Sequence, residues 1–225
     1  MPRPRLKICG LRQPEQAAAV ARLGVDAIGV IGVAGTPRFL EPAERPALFK
    51  AVAAVNPTVL GVLVVADPGA DALEELNLNQ GHQVVQLHGQ ESPGFCAALR
   101  ERLGCSLWKA LRVRSKSDLD QALTYVGAVD ALVLDAWAPD QLGGTGQAIP
   151  LAWLRDFAPP LPWWLAGGVS PERLPGLLRE LRPDGFDASS GVERSPGDKD
   201  LSRVKLLVSG LRDDGGSGSG EDQPG

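Results

Sequence analysis

The sequence is poor in the residues that bind metals and in those that form disulfides. Its 225 residues include two histidines and three cysteines, and the cysteines follow no paired or metal-ligand spacing. Because neither histidine has a convincing carboxylate partner, a catalytic metal is not expected. Unpatterned cysteines, together with no recognisable signal peptide, predict a reduced, cytoplasmic protein.

Long apolar runs and blocks of basic residues are missing as well. No apolar stretch approaches the roughly 20 residues of a membrane span. The net charge is −4 at pH 7, and no lysine–arginine block marks a nucleic-acid or membrane surface. Neither a P-loop nor a convincing dinucleotide fingerprint is present. We therefore expect a small-molecule partner and neither nucleic acid nor membrane.

The sequence does contain a series of short apolar runs, each ending at a small, polar or reactive residue. They lie at residues 6–10, 27–30, 60–64, 84–88, 107–110, 131–135, 163–168 and 186–191, with stretches of helical character between them. Apolar runs without alternation are typical of strands buried on both faces of a parallel sheet. Eight strand–helix units predict an α/β fold with one domain, the (β/α)8 or TIM barrel. Residues 1–212 would form the barrel, and the Gly/Ser/acidic residues 213–225 a disordered tail.

Two reactive residues end predicted strands, and the carboxyl ends of the strands form the active site of such a barrel. Cys9 ends the first run, on the same side as Lys7 because side chains alternate along a strand. The Lys7 ammonium should lower the pKa of the Cys9 thiol, making it a base or nucleophile. Asp135 closes the sixth run and suits a general acid. The alternatives are simple packing for Cys9 and a helix cap or loop salt bridge for Asp135.

Glycine-rich turns follow the last two predicted strands, where barrels often bind phosphate. Glycine allows backbone N–H groups to approach an anion closely. A similar run at 143–146, after the sixth strand, either adds donors or is simply a flexible loop. The candidate phosphate-binding residues are Gly144, Gly146, Gly167, Gly168, Ser190 and Gly191. The pattern predicts a phosphorylated small molecule as the substrate.

Three other side chains could contact that substrate. Arg38, in the long loop after the second strand, has a planar guanidinium suited to a carboxylate or a phosphate, although it could also be a lone surface arginine. His88 ends the fourth run and could orient or polarise the substrate. Lys109, near the end of the fifth, keeps open a Schiff-base aldolase.

Two other functions compete with a metal-free enzyme. A metal-dependent sugar-phosphate epimerase lacks its ligand set in this sequence. A non-catalytic phosphosugar-binding barrel would need neither Cys9 nor Asp135.

Taken together, the motifs resemble those of the phosphoribosylanthranilate isomerase family. They are Lys7-Ile8-Cys9-Gly10, 85–89, Leu134-Asp135 with 143–146, 165–169 with Pro171-Glu172, and 187–193 with 197–200. The matches run in order from residue 5 to about residue 208. The resemblance implies an enzyme of tryptophan biosynthesis that needs no cofactor. Its reaction is the Amadori rearrangement of N-(5-phosphoribosyl)anthranilate to 1-(2-carboxyphenylamino)-1-deoxyribulose 5-phosphate.

The resemblance also implies a role for each candidate residue. Asp135 would protonate the ribose ring oxygen, and Cys9 would remove the proton from C2. Arg38 would hold the anthranilate carboxylate, while Asp187 would contact the ribose or organise the site. The glycine-rich turns would hold the phosphate. Because the family includes monomers and dimers, either state is expected.

One segment departs from the family pattern. The aromatic stretch Gly-Phe-x-Phe that is typical after the second strand is replaced by the aliphatic 29–32, Gly-Val-Ile-Gly. The departure implies looser packing against the anthranilate ring and a raised Michaelis constant.

Overall fold

Eight parallel strands close into a barrel in which each strand pairs with the next and the last pairs with the first. The computed structural model describes residues 3–69, 72, 76, 80–136 and 148–214. The strands are β1 (Arg5–Cys9), β2 (Ala27–Ile31), β3 (Leu60–Val65), β4 (Val84–Leu87), β5 (Ser106–Val113), β6 (Ala131–Ala136), β7 (Trp163–Leu165) and β8 (Gly185–Ala188). The predicted (β/α)8 fold is confirmed.

Helices on the outside of the barrel connect the strands. They are α1 (Pro14–Arg22), α2 (Arg45–Val55), α3 (Pro93–Arg102), α4 (Ser117–Ala122), α5 (Leu151–Leu154), α6 (Leu174–Glu180) and α7 (Leu201–Asp214), with 3-10 turns at Pro42–Glu44, Leu123–Tyr125 and Ser190–Val192. Local chemistry sets their starts: the Phe95 N–H donates to the Ser92 side chain at the start of α3, and Pro93 occupies its first turn. Every helix within the described residues is too short or too polar to cross a bilayer.

Two predicted segments fall largely or wholly outside the described residues. The glycine-rich run at 143–146, with Gly144 and Gly146, is one of them. The other is the predicted tail: α7 continues through Asp214, and residues 215–225 are not described. The proposed boundary between barrel and tail therefore stays a prediction.

Packing fills the barrel interior near the amino ends of the strands. Trp108 and Trp164 lie there with their ring centroids 4.9 Å apart, and the Arg5 guanidinium lies 5.1 Å from the Trp164 ring. Small residues such as Ala27 and Ala131 face the same interior cluster and leave room for the two indoles. The buried polar residues Gln86, Asp135 and Asp187 lie in the carboxyl-terminal halves of their strands.

A short antiparallel hairpin follows β8 and was not predicted. Its strands, β9 (Glu193–Ser195) and β10 (Asp198–Lys199), are joined by a turn in which Gly197 has a φ of +84°. In the sequence, this stretch stood out only as part of a family motif ahead of the last predicted helix. The hairpin register places Lys199 opposite Glu193, beside the barrel mouth.

Candidate active site

A cavity at the carboxyl ends of the strands brings most of the candidate residues together. Its lining includes Cys9, Arg38, His88, Asp135, Gly167, Gly168, Asp187, Ser190 and Gly191. Gly144 and Gly146 belong to the undescribed loop. Thr36, Gln86 and Ser189 also line the cavity, although they were not among the predicted site residues.

Lys7 lies beneath the cavity and contacts several of its polar groups. Its side chain is fully buried, and Nζ donates to Asp187 Oδ2 at 2.7 Å and to Gln86 Oε1 at 2.9 Å. The prediction that Lys7 and Cys9 share one side of β1 is confirmed at Gly29. A Cβ there would lie 2.6 Å from Cys9 Sγ and 3.1 Å from Lys7 Cε, so only glycine leaves room for both side chains.

Lys7 acts on Cys9 in the predicted direction, but its effect is not the largest one. Burial raises the pKa of the Cys9 thiol above its ordinary value and outweighs the Lys7 ammonium, which lowers it. Burial also lowers the pKa of Lys7, but Asp187 and Cys9 more than offset this and raise it. Lys7 therefore stays charged, while Cys9 is mostly a neutral thiol in the unliganded protein at pH 7.

Asp135 and His88 lie next to each other in the wall of the cavity. Asp135 is 4% exposed, and its Oδ2 lies 3.5 Å from His88 Nε2. That separation is longer than a hydrogen bond, and His88 Nε2 has no hydrogen-bond partner within the described residues. Catalytic contacts are often long in unliganded enzymes and tighten when substrate binds.

Gln86 has a fixed orientation that the sequence analysis missed. An ammonium can only donate, so the Gln86 side chain must turn Oε1 toward Lys7, and its NH₂ group points away from it. No hydrogen bond among the described residues uses that NH₂ group or the buried Oδ1 of Asp187. A donor and an acceptor thus remain available beside Cys9. A polar residue inside the apolar run 84–87 was the signal that could have identified Gln86.

The turns after β7 and β8 form a cradle of backbone donors. Gly167 and Gly168 have φ values of +77° and +68°, which favour glycine. A Cβ on Gly191 would lie 2.0 Å from the Val169 carbonyl oxygen, so a side chain there would push the two turns apart. The N–H groups of Gly168, Ser190 and Gly191 enter no hydrogen bond among the described residues. Backbone N–H groups without a partner that line one cavity suit a phosphate.

Arg38 reaches the cavity mouth but is already paired on one side. Its guanidinium forms a bidentate contact with Glu193, which also accepts from Lys199 Nζ at 2.5 Å. Burial raises the pKa of Glu193, but Arg38 and Lys199 together hold it below its usual range. Neither Glu193 nor Lys199 was among the predicted site residues, although both lie in the family motif formed by 187–193 with 197–200.

Lys109 does not line the cavity that holds Cys9 and Asp135. It is 1% exposed and paired with Glu91 at 2.7 Å, and it also donates to the carbonyls of Gly89 and Ala110 at 2.9 Å. An amine held by three acceptors and shielded from the cavity is poorly placed to form a Schiff base. The geometry therefore gives the aldolase alternative no support.

Comparisons with known proteins agree with this arrangement. The family model described as N-(5'phosphoribosyl)anthranilate (PRA) isomerase matches residues 6–210. The N-(5'-phosphoribosyl)anthranilate isomerase of Synechococcus elongatus is 47% identical over 208 residues, covering 92% of this chain and 95% of that protein. The corresponding protein of Gloeobacter violaceus is 46% identical over 206 residues, covering 91% of each.

Solved structures show the same likeness. The phosphoribosyl anthranilate isomerase of Thermus thermophilus superposes with a TM-score of 0.79 at 32% identity, covering 93% of this chain and 98% of that one. A phosphoribosyl anthranilate isomerase in complex with reduced 1-(o-carboxyphenylamino)-1-deoxyribulose 5-phosphate superposes with a TM-score of 0.75 at 27% identity, covering 93% and 99%. With its barrel, its cavity and these matches, the chain belongs to the N-(5'-phosphoribosyl)anthranilate isomerase family.

Proposed function

We propose that this protein isomerises N-(5-phosphoribosyl)anthranilate to 1-(2-carboxyphenylamino)-1-deoxyribulose 5-phosphate, with Asp135 as acid and Cys9 as base. Family membership supports the reaction, which is a step of tryptophan biosynthesis. The observation that carries the residue assignment is the shared cavity: Cys9 on β1 and Asp135 on β6 both line it, at one mouth of the barrel. Pairs of groups that donate and remove protons on different strands are typical of barrel enzymes.

Substrate binding uses the two ends of the cavity. The N–H groups of Gly168, Ser190 and Gly191 hold the phosphate, since they line one cavity and lack other partners among the described residues. The anthranilate carboxylate lies at the Arg38 end. The ribose then lies between them, within reach of the unpartnered Oδ1 of Asp187. This orientation brings C2 toward the Cys9 thiol.

Asp135 begins the reaction by protonating the ribose ring oxygen. The bond between that oxygen and C1 breaks, and the lone pair of the anthranilate nitrogen forms the C=N bond of a protonated Schiff base. His88, 3.5 Å from Asp135 Oδ2, orients the carboxyl group toward the ring oxygen. General acid catalysis of this kind contributes roughly 100- to 10,000-fold.

Cys9 completes the isomerisation by removing the proton from C2. The C2–H electrons form a C1=C2 double bond, and the electrons of the C=N bond return to nitrogen, giving an enolamine. Loss of the hydroxyl proton at C2 and protonation at C1 then give the ketone, so no atom is gained or lost overall. The removal of a proton requires the thiolate, which Lys7 favours by its charge although burial opposes it.

The test follows the fluorescence of N-(5-phosphoribosyl)anthranilate, generated in place from anthranilate and phosphoribosyl pyrophosphate. The wild type should remove the fluorescence faster than a no-enzyme control, which corrects for spontaneous hydrolysis, and mass spectrometry should identify the ketone product. Cys9→Ala and Asp135→Asn should retain binding of the reduced product while losing turnover. A folded wild type that forms no product would refute the proposed function.

The cellular location and the oligomeric state of the enzyme are part of the same proposal. We expect a cytoplasmic enzyme that acts on a free phosphosugar, as either a monomer or a homodimer. A crystal structure of the relative from Thermotoga maritima is described as containing monomers generated from a dimeric enzyme. Sedimentation of this protein at several concentrations would decide between the two states.

A further inference from the structure

The guanidinium of Arg38 is held by one edge and leaves another edge available. Nε donates to both oxygens of Glu193, at 2.9 and 3.2 Å, and Nη2 donates to Oε2 at 2.6 Å. A guanidinium has five N–H donors, and this pairing uses only its Nε–Nη2 edge. No hydrogen bond to a described residue uses Nη1. The Nη1–Nη2 edge can therefore donate to a second carboxylate in the same planar, bidentate way.

The packing around Arg38 sets the direction of that available edge. A Cβ on Gly10 would lie 2.5 Å from Arg38 Cδ, so the arginine side chain runs directly over this glycine. Arg38 lines the cavity, whereas Glu193 does not. With Glu193 holding the guanidinium from behind, the remaining edge faces the space where the substrate binds.

Lys199 changes the charge of this group. Its ammonium is fully buried and contacts Glu193 Oε1 at 2.5 Å, and the same oxygen accepts from the Gly197 N–H at 3.0 Å. Arg38 and Glu193 alone would sum to no net charge. Burial lowers the pKa of Lys199, and its contact with Glu193 opposes this shift. As the ammonium that pairs with the Glu193 carboxylate, Lys199 restores one positive charge, so an arriving anion meets a net cation rather than a neutral pair.

We propose that Glu193 is a positioning residue for recognition of the substrate carboxylate, acting through Arg38, and that Lys199 compensates its charge. The inference rests on the proposed function and specifies how its carboxylate-binding end is built. Glu193 acts by fixing the guanidinium plane before substrate arrives, which lowers the entropy cost of binding. It contacts Arg38 rather than the substrate.

The experiment compares two ligands that differ only in the carboxylate. One is reduced 1-(o-carboxyphenylamino)-1-deoxyribulose 5-phosphate, and the other is its analogue without the ring carboxylate. Dissociation constants are measured by calorimetry for the wild type and for Glu193→Gln. The matched control is Glu180→Gln, which removes the carboxylate from an exposed pair with Arg155 that also uses the Nε and Nη2 atoms.

We expect a selective loss of affinity. Glu193→Gln should weaken the carboxylate ligand about tenfold, the equivalent of one charge-assisted hydrogen bond, and leave the other ligand unchanged. Glu180→Gln should change neither. The Arg38→Met variant should itself discriminate poorly between the two ligands. Adding Glu193→Gln to Arg38→Met should not change the dissociation constant of the carboxylate ligand any further. Turnover of the folded Glu193→Gln enzyme should show a raised KM with a smaller change in kcat.

Other outcomes would overturn the inference. An equal loss for both ligands would mean that Glu193 only supports the fold, and no loss would mean that it does not position Arg38. If Glu193→Gln fails to fold because the buried Lys199 and the partly buried Arg38 lose their counter-charge, Glu193→Asp replaces it. That variant keeps the charge but draws the guanidinium back by one methylene, so a smaller loss with the same selectivity is expected. If the wild type turns over substrate but Glu193→Gln shows no selective loss of affinity for the carboxylate ligand, this inference alone is refuted. If Glu193→Gln shows that selective loss but the wild type does not turn over substrate, the proposed function is refuted.

Discussion

Two buried lysines of the barrel make nearly identical ion pairs with opposite consequences. Lys7 contacts Asp187 at 2.7 Å, and Lys109 contacts Glu91 at 2.7 Å; all four side chains are almost completely buried. Asp187 lines the cavity and leaves Oδ1 unpartnered among the described residues, whereas Glu91 and Lys109 do not line it. Distance and burial therefore do not separate an ion pair at the candidate active site from one elsewhere in the barrel. The two pairs differ in whether they face the cavity and in whether a polar atom remains without a hydrogen-bond partner.

The Glu91–Lys109 cluster explains what the second pair does instead. The Glu91 carboxylate accepts from the backbone N–H of Asp67 at 2.8 Å and from that of Gly89 at 3.0 and 3.1 Å. The Tyr125 hydroxyl donates to the Glu91 carbonyl at 2.8 Å. The pair thus ties the loops after β3 and β4 to β5, behind His88 and outside the cavity.

The largest expected effect lies on the cavity side. Asp135→Asn should reduce kcat roughly 100- to 10,000-fold, because the amide cannot donate a proton to the ring oxygen. Its thermal unfolding should stay close to wild type, since Asp135 forms no close ion pair with a described residue other than the 3.5 Å contact with His88. Turnover by the fluorescence assay and calorimetric unfolding measure the two properties. Near-normal turnover would remove Asp135 from the acid role.

The structural pair should show the reverse behaviour. Lys109→Met leaves the Glu91 carboxylate buried without its cation, which we expect to cost about 3–5 kcal/mol in the free energy of unfolding. At a temperature where the variant stays folded, kcat should remain near the wild-type value. Lys7→Met is the matched variant, since it removes the same kind of group from the cavity side. It should lose turnover as well as stability.

Equal loss of turnover in the two lysine variants would contradict the comparison. So would trapping of substrate on Lys109 by borohydride, because that would place its amine in the reaction. Urea unfolding at fixed pH gives the stability difference for both variants.

The pH dependence of Cys9 gives a smaller but directional effect. Because burial holds the pKa of the thiol above its ordinary value, the thiolate fraction at pH 7 is below that of a free cysteine. Alkylation of Cys9 by iodoacetamide should accordingly be slower than that of free cysteine, and kcat/KM should rise with pH into the alkaline range. Peptide mass spectrometry separates Cys9 from Cys96 and Cys105. A plateau of kcat/KM below about pH 8, under the ordinary thiol pKa, would contradict this direction.

The smallest expected effect concerns the mouth of the cavity. Ile31 and Thr36 line it next to Arg38, with no phenylalanine, tyrosine or tryptophan among the described lining residues. KM for the substrate should therefore be a few-fold higher than that of a relative with the aromatic loop. This is roughly the change in affinity expected when one ring contact is lost. Steady-state assays of both enzymes in one buffer measure this. An equal or lower KM would show that the aliphatic wall suffices.

Particular residues show how much of the fold and of the candidate site could be predicted from the sequence. The eight apolar runs predicted the barrel because parallel strands are buried on both faces, and Cys9 and Asp135 were identifiable because they end such runs. The net pKa of Cys9 was not predictable, since it depends on the balance between burial and charge in three dimensions. Glu193 was missed because its contact with Arg38 joins positions 155 residues apart, and Lys199 was missed because it contacts Glu193.

The bond between Lys7 and Asp187 joins positions 180 residues apart, on the first and last strands of the barrel. The proposed base therefore acquires its charged surroundings only when the final strand has been synthesised and has docked against the first. A nascent chain still held at the ribosome exit, or a fragment ending before residue 185, would contain Cys9 and Asp135 and yet be inert. We expect turnover to appear only once β8 has docked against β1.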